Sequence, residues 1–262
     1  MNSKKVIYYE DELNDEFSTA KITPRVIDEK YKYKHNFLWD FCSLIFQNIL
    51  SMPIKIGYAK FKLKIKYIGK EKIKRYKKEG YFVYVNHTQQ FADTFIPSIP
   101  IYPKRNFFIV NPENISVKPF GTIIEMLGAL PVPGNKEAMK KFLDIIREKI
   151  EKKCSITIYP EAHIWPYYTG IRPFKSVSFK YPVELKKPTF CMTNTYQSYG
   201  KNNDKLKIVT YIDGPFFANE GLSIKEQKEE LRNKVYECMK DRSKNSNFEY
   251  IKYIKIGEQY EK

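Results

Sequence analysis

The chain has 262 residues, enough for one large domain with a real core, and its 42% apolar and 16% aromatic content excludes a disordered or low-complexity polypeptide. Lys and Arg number 46 against 30 Asp and Glu, and the resulting +16 implies a polyanionic partner, either nucleic acid or an anionic membrane surface. Cys42, Cys154, Cys191 and Cys238 are scattered without a CxxC pair, which excludes a disulfide framework and fits a reducing cytosol.

In chain order, residues 1–35 read as a loosely packed arm with an acidic cluster from Glu10 to Glu16 and no apolar run, so no secretory signal is expected. Residues 36–60 are apolar and aromatic, from Phe37 through Ile56, but Asp40, Gln47, Asn48 and Lys55 interrupt them and Pro53 should bend them. A spanning helix needs about 20 mostly apolar residues, so an interfacial or re-entrant amphipathic helix is expected, with an ordinary buried helix as the alternative. Eleven cations between Lys55 and Lys78 then face only Glu71. Within them, Phe61 to Tyr67 alternates strictly between apolar residues and lysine, which predicts a half-buried strand with a basic outer face.

From Tyr81 the pattern turns α/β. Strands are predicted at Tyr81–Val85, Asn106–Val110, Ser155–Tyr159, Pro188–Thr193 and Lys205–Ile212, and helices at Asp93–Ile99, Pro119–Leu127, Lys136–Lys152, Ser176–Glu184 and Ser223–Arg242. The expectation is a mixed, mainly parallel sheet flanked by helices over residues 61–242, then a polar extension over 243–262.

Glycine-rich nucleotide loops, a GxSxG elbow and HExxH are absent, and three histidines (His35, His87, His163) do not suggest a metal centre. His87 stands apart. It follows an apolar strand and Asn86, and Asp93 comes soon after at a predicted helix start. A neutral imidazole delivered by a strand end can take a proton from a hydroxyl, while a carboxylate on its other nitrogen fixes the tautomer. Glu161 ends a second strand, where it could bind a substrate hydroxyl or support the histidine. Lys175, just before a helix, could hold an anion. Each also has a plain reading, as a cap, a strand-end acid and a solvated lysine.

Taken in order from Tyr81 to Asp213, about half the chain, these pieces resemble the 1-acyl-sn-glycerol-3-phosphate acyltransferases and their glycerolipid relatives. Asn86-His87 with Asp93 is similar to the family's Asn-His-x4-Asp box. Gly121 through Gly128-Ala129-Leu130-Pro131-Val132 is similar to its second block, and Tyr159-Pro160-Glu161 to its Phe-Pro-Glu-Gly-Thr-Arg block. Gly170 to Lys175 is similar to its Gly-x-x-x-Pro-Phe-Lys segment, and Lys187-Pro188-Thr189-Phe190 sits where it has a Val-Pro strand. There are departures: five residues, not four, separate His87 from Asp93. Pro133-Gly134 stands where the second block ends in arginine, and Ala162-His163-Ile164 replaces Gly-Thr-Arg, so both phosphate-binding arginines are missing.

The resemblance implies a glycerol-3-phosphate acyltransferase-like α/β fold and an O-acyltransferase of phospholipid synthesis, without metal or cofactor. His87 would be the general base and Asp93 its orienter. Glu161, Lys175, Arg172 and Gly134 would bind substrate, and amides of the Pro131–Gly134 turn would stabilise an oxyanion. The donor would be acyl-CoA or acyl carrier protein and the acceptor a lysophospholipid, with Lys118, Lys136 or His163 as further candidates for its phosphate. The implied place is the cytoplasmic face of the cell membrane, peripheral or monotopic, on an anionic surface, with no nucleic acid expected. A different, non-phosphate lipid acceptor, a lipid esterase, or a non-catalytic basic membrane- or nucleic-acid-binding protein are the alternatives.

Overall fold

A computed structural model describes residues 5–17, 22–34 and 36–257. His35, residues 1–4 and 18–21 of the arm, and residues 258–262 of the extension lie outside them.

The sheet is built outward from β3 (Tyr81–Val85), whose five residues are all buried, as expected of a strand covered on both faces. It pairs in parallel with β6 (Ser155–Ile158) on one side and β7 (Thr189–Tyr199) on the other. Beyond β6 come β4 (Asn106–Val110) and β5 (Ala129–Pro131), also parallel. Beyond β7 comes β8 (Lys205–Phe216), antiparallel to it, and then β2 (Lys66–Ile68), parallel to β8. The seven-stranded order is β2-β8-β7-β3-β6-β4-β5, a mixed and mainly parallel sheet.

Alternate residues of β3 feed two cores. Phe82 and Tyr84 join Phe142 and Ile146 of the Lys136–Glu151 helix and Leu231, Val235 and Met239 of the Ile224–Ser243 helix. Tyr81, Val83 and Val85 join Ile73, Ile101, Phe190 and Met192 on the other face. The Ile224–Ser243 helix begins on a capping box, in which Ser223 and Glu226 each satisfy the other's backbone N–H.

Three expectations change. The predicted Phe61–Tyr67 strand is confined to Lys66–Ile68, because the preceding helix runs on through Lys62. Phe61 stays on that helix's exposed face, while Leu63, Ile65 and Tyr67 pack on Ala92, Phe95 and Ile96. The predicted Asp93–Ile99 helix is a 3-10 turn at Ala92–Thr94 and a short helix at Ser98–Ile101, since Pro97 and Pro100 cannot donate to a helical ladder. The arm and the C-terminal extension also contribute strands among the described residues. β1 (Lys5–Tyr9) pairs in parallel with β9 (Ile251–Lys255), and Tyr9 and Tyr253 pack on Trp165 with ring centroids 4.8 and 5.0 Å away.

The apolar segment forms one helix, Phe37–Lys62, capped by the Asn36 side chain, which accepts the Trp39 N–H at 2.8 Å. It contains wide π turns at Ile45–Leu50 and Tyr58–Lys62, the first ending just before Pro53. Its buried stripe is Ser43, Gln47, Met52, Lys55 and Ala59, and the five-residue step from Gln47 to Met52 spans the first π turn. That stripe is mostly polar or small. Ser43 Oγ donates to Met126 O at 2.6 Å, Gln47 Nε2 to the same oxygen at 3.1 Å, and Arg105 reaches Ser43 at 2.7 Å. Gly128 permits this close approach. At φ +105°, a side chain there would meet Asn106 O at 2.6 Å and Gln47 Nε2 at 3.1 Å.

The large apolar residues point the other way: Phe37 is 87% exposed, Ile54 72% and Phe61 70%. The helix is therefore inside-out, with polar groups against the protein and apolar groups outside. Lys60, Lys62, Lys64, Lys66, Lys74, Arg75, Lys77 and Lys78, at its end and in the residues that follow, are exposed. Lys55 is buried, and Lys72 is bound to Asp213 at 2.7 Å.

Candidate active site

β3 ends at Val85, and the next residue continues the sheet with its side chain. Asn86 Nδ2 donates to Asn194 O at 3.1 Å and Asn86 Oδ1 accepts Asn194 N–H at 2.8 Å, so one amide completes the ladder to β7. The chain can then leave the sheet without orphaning the backbone groups of its neighbour, and His87 emerges at the carboxyl end of the parallel strands.

His87 is held from several directions. Its N–H donates to Glu161 Oε2 at 2.9 Å, and its carbonyl accepts Trp165 N–H at 3.1 Å. Its ring lies against Tyr159, with centroids 4.4 Å apart and planes at 29°. Its Nδ1 lies 2.8 Å from Asp93 Oδ2, which also accepts Gln89 N–H at 2.9 Å. The carboxylate selects the tautomer with the proton on Nδ1, leaving Nε2 as the basic nitrogen. Among the described residues Nε2 has no partner, and the side chain is 24% exposed against 2% for Asp93. Burial pushes the Asp93 carboxyl above its usual range, and the hydrogen bond from His87 draws it back down.

The five-residue spacing does not prevent the contact. Asp93 N–H donates to Gln89 O at 3.1 Å, closing a turn that takes up the extra residue. Tyr196 fixes the other side of the loop, donating to Thr88 Oγ1 at 2.8 Å and accepting Gln89 Nε2 at 3.0 Å.

Of the other expected site residues, Glu161 and Arg172 are part of the scaffold. Glu161 is 3% exposed and its oxygens accept the backbone N–H groups of His87 and Arg172, each at 2.9 Å. Burial pushes its carboxyl up, opposed first by the Arg172 guanidinium. Arg172 is 1% exposed, sits over the Trp165 ring at 4.9 Å, and donates to the carbonyls of Glu12, Glu161 and His163. Both side chains are committed to these partners, which matches the reading of Glu161 as a support for the histidine.

The Gly134 amide is likewise committed. Its N–H donates to Ile27 O at 3.1 Å and Val132 N–H donates to Val110 O at 2.9 Å, while Pro131 and Pro133 have none. The turn therefore has no amide left for an oxyanion, and β5 lies three strands from β3, roughly 14 Å away. Lys175, Lys118 and Lys136 are exposed, and His163 pairs with Glu16 at 3.4 Å.

Sequence reasoning did not find the supporting roles of Tyr159, Trp165 and Tyr196. For Tyr196 there was a signal: Asn194 and Tyr196 are polar residues inside a buried strand, and buried polar groups need partners. Ligand atoms of Cys191, Asp213 and Cys238 lie within 4.8 Å of one another. Asp213, however, is bound by Lys72 and by both Nε and Nη2 of Arg242, so the local charge opposes a cation.

Residues 64–193 match a family model described as Acyltransferase. No curated protein matches the chain. Among solved structures, the 1-acyl-sn-glycerophosphate acyltransferase PlsC from Thermotoga maritima is similar at 15% identity and TM-score 0.49, over 78% of this chain and 87% of that one. The matched segment runs from just before β2 to the middle of β7 and contains the His87–Asp93 pair, Tyr159 and Glu161. Residues 64–193, just under half of the chain, therefore form an acyltransferase-family domain.

Proposed function

We propose that the chain moves a fatty acyl group from the thioester of acyl-CoA or acyl carrier protein to a hydroxyl of a lysophospholipid, at an anionic membrane surface. The observation that carries this reading is the 2.8 Å contact of His87 Nδ1 with Asp93 beside an uncommitted Nε2. Nε2 takes the proton of the acceptor hydroxyl as its oxygen attacks the thioester carbonyl carbon. The tetrahedral adduct collapses with cleavage of the carbon–sulfur bond, and the proton passes from Nε2 to the departing thiolate. Asp93 stabilises the imidazolium in between, and no acyl-enzyme forms.

The inside-out helix supports work at a membrane. Its apolar face suits the acyl boundary, its polar stripe is fastened to the domain, and the neighbouring lysines suit anionic head groups. Fastened in this way, the helix lies along the bilayer and does not cross it. With both family arginines missing and Arg172 enclosed, Lys175 and the exposed basic surface are the candidates for the acceptor's phosphate.

The test is a product screen by mass spectrometry, with full-length protein, acyl-CoA and a panel of lysolipids beside His87→Ala. The expected result is a new diacyl lipid made by the native chain, with the rate about 10³–10⁴-fold lower in the variant. Native-level transfer by His87→Ala would sink the mechanism.

A further inference from the structure

One side chain touches both members of the His87–Asp93 pair. Tyr159, just past the end of β6, lies against the His87 ring at 4.4 Å and donates its hydroxyl to the main-chain oxygen of Asp93. Burial, and then the charge of Asp93, pushes the phenol well above its usual range, so it stays a neutral donor. Nearby, Tyr67 donates its hydroxyl to Ile96 O at 2.9 Å, so two tyrosines hold the segment from Asp93 to Ile96 by its carbonyls.

This loop needs such holding. It has five residues between His87 and Asp93, and a longer loop has more conformations to lose. The Gln89 turn ties the loop to itself, whereas Tyr159 ties its far end to the sheet. The resembling block of the family begins with phenylalanine, which has the ring but lacks the hydroxyl.

We propose that Tyr159 is a positioning residue: its hydroxyl sets the backbone of Asp93 and its ring sets the plane of His87, so that Nδ1 and Oδ2 meet across the longer loop. This rests on reading His87 and Asp93 as the catalytic pair, and the test separates the two ideas. Tyr159→Phe removes only the hydroxyl, and Tyr159→Leu removes the ring contact as well. Both are made in the full chain beside His87→Ala. Two quantities are measured: thiol release from acyl-CoA with lysolipid, resolved into kcat and KM, and the downfield imidazole N–H proton resonance that His87→Ala lacks.

Tyr159→Phe should lower kcat about tenfold with KM unchanged, and should move or broaden the resonance while the melting temperature stays near native. Tyr159→Leu should lower kcat about 100-fold. A Tyr159→Phe variant with an unmoved resonance, whatever its kcat, overturns the positioning role and leaves the catalytic pair standing. Full activity in His87→Ala overturns both.

Discussion

The loop from Asn86 to Asp93 and the helix from Phe37 to Lys62 solve opposite problems. The loop is polar and sits at the edge of the core, and most of its groups are satisfied from within: Asn86 by Asn194, His87 by Glu161 and Asp93, Thr88 and Gln89 by Tyr196, with Asp93 Oδ1 left over. The helix is apolar, and many of its large side chains, Phe37, Leu38, Phe41, Ile49, Ile54 and Phe61 among them, face outward. Defects in the loop should therefore register in folding and chemistry. Defects on the outer face of the helix should register only when a membrane is supplied. Under the proposed function, this contrast separates groups that make a site from groups that would deliver it to its substrate.

The largest effect expected from breaking the loop's support is at Glu161. Glu161→Ala strips the acceptor from two buried N–H groups and leaves the enclosed Arg172 uncompensated, a loss of about 3–5 kcal/mol. Thermal unfolding and activity should fall together. A stable variant with only a raised acceptor KM would mean that Glu161 meets substrate after all.

On the helix, Ile54→Glu combined with Phe61→Glu should do the reverse. Each side chain is worth about 1.5–3 kcal/mol when buried, so binding to vesicles containing phosphatidylglycerol should weaken about 10²–10⁴-fold. The melting temperature should not move, because both residues face outward. Co-sedimentation with such vesicles, set beside a melting curve, checks both halves. Equal loss of stability in this variant and in Glu161→Ala would erase the distinction between the two regions.

How far the sequence discloses each region follows from the range of the forces involved. β3, β4 and β6 are legible because a short apolar run between turn signals is a local pattern. The Lys136–Glu151 and Ile224–Ser243 helices are legible from periodicity and caps. His87 and Asp93 are legible because they are near neighbours in the chain. The residues whose surroundings are hidden from a local reading are those whose partners are far away. Glu161 and Arg172 look like surface groups until Trp165 and the arm from Glu12 to Asp15 close over them. The Phe61–Tyr67 alternation fits a strand, but the outward apolar side of the Phe37–Lys62 helix claims Phe61 first. The pairing of β1 with β9 joins residues at opposite ends of the chain, and only the finished fold brings them together.

The smallest effect concerns the one cation on the wrong side of the helix. Lys55 lies in the buried stripe, and burial pushes its ammonium down to about 8 from an ordinary 10.5. Between those two values the unfolded chain binds more protons than the folded one, so this group's contribution to stability rises with pH across that window. Below about pH 8 the folded state carries the full penalty of a buried charge. Lys55→Met keeps the length of the side chain and removes the charge, so it should stabilise the chain by about 1–3 kcal/mol at pH 7. The advantage should shrink as the pH rises from 8 through 10.5 and vanish only above it, where the native lysine is neutral in both states. Urea unfolding of both chains at pH 7 and pH 10 measures this directly. A variant less stable than native at pH 7 would mean that the Lys55 ammonium is held by a favourable partner, and that the inner stripe of the helix is a binding surface in its own right.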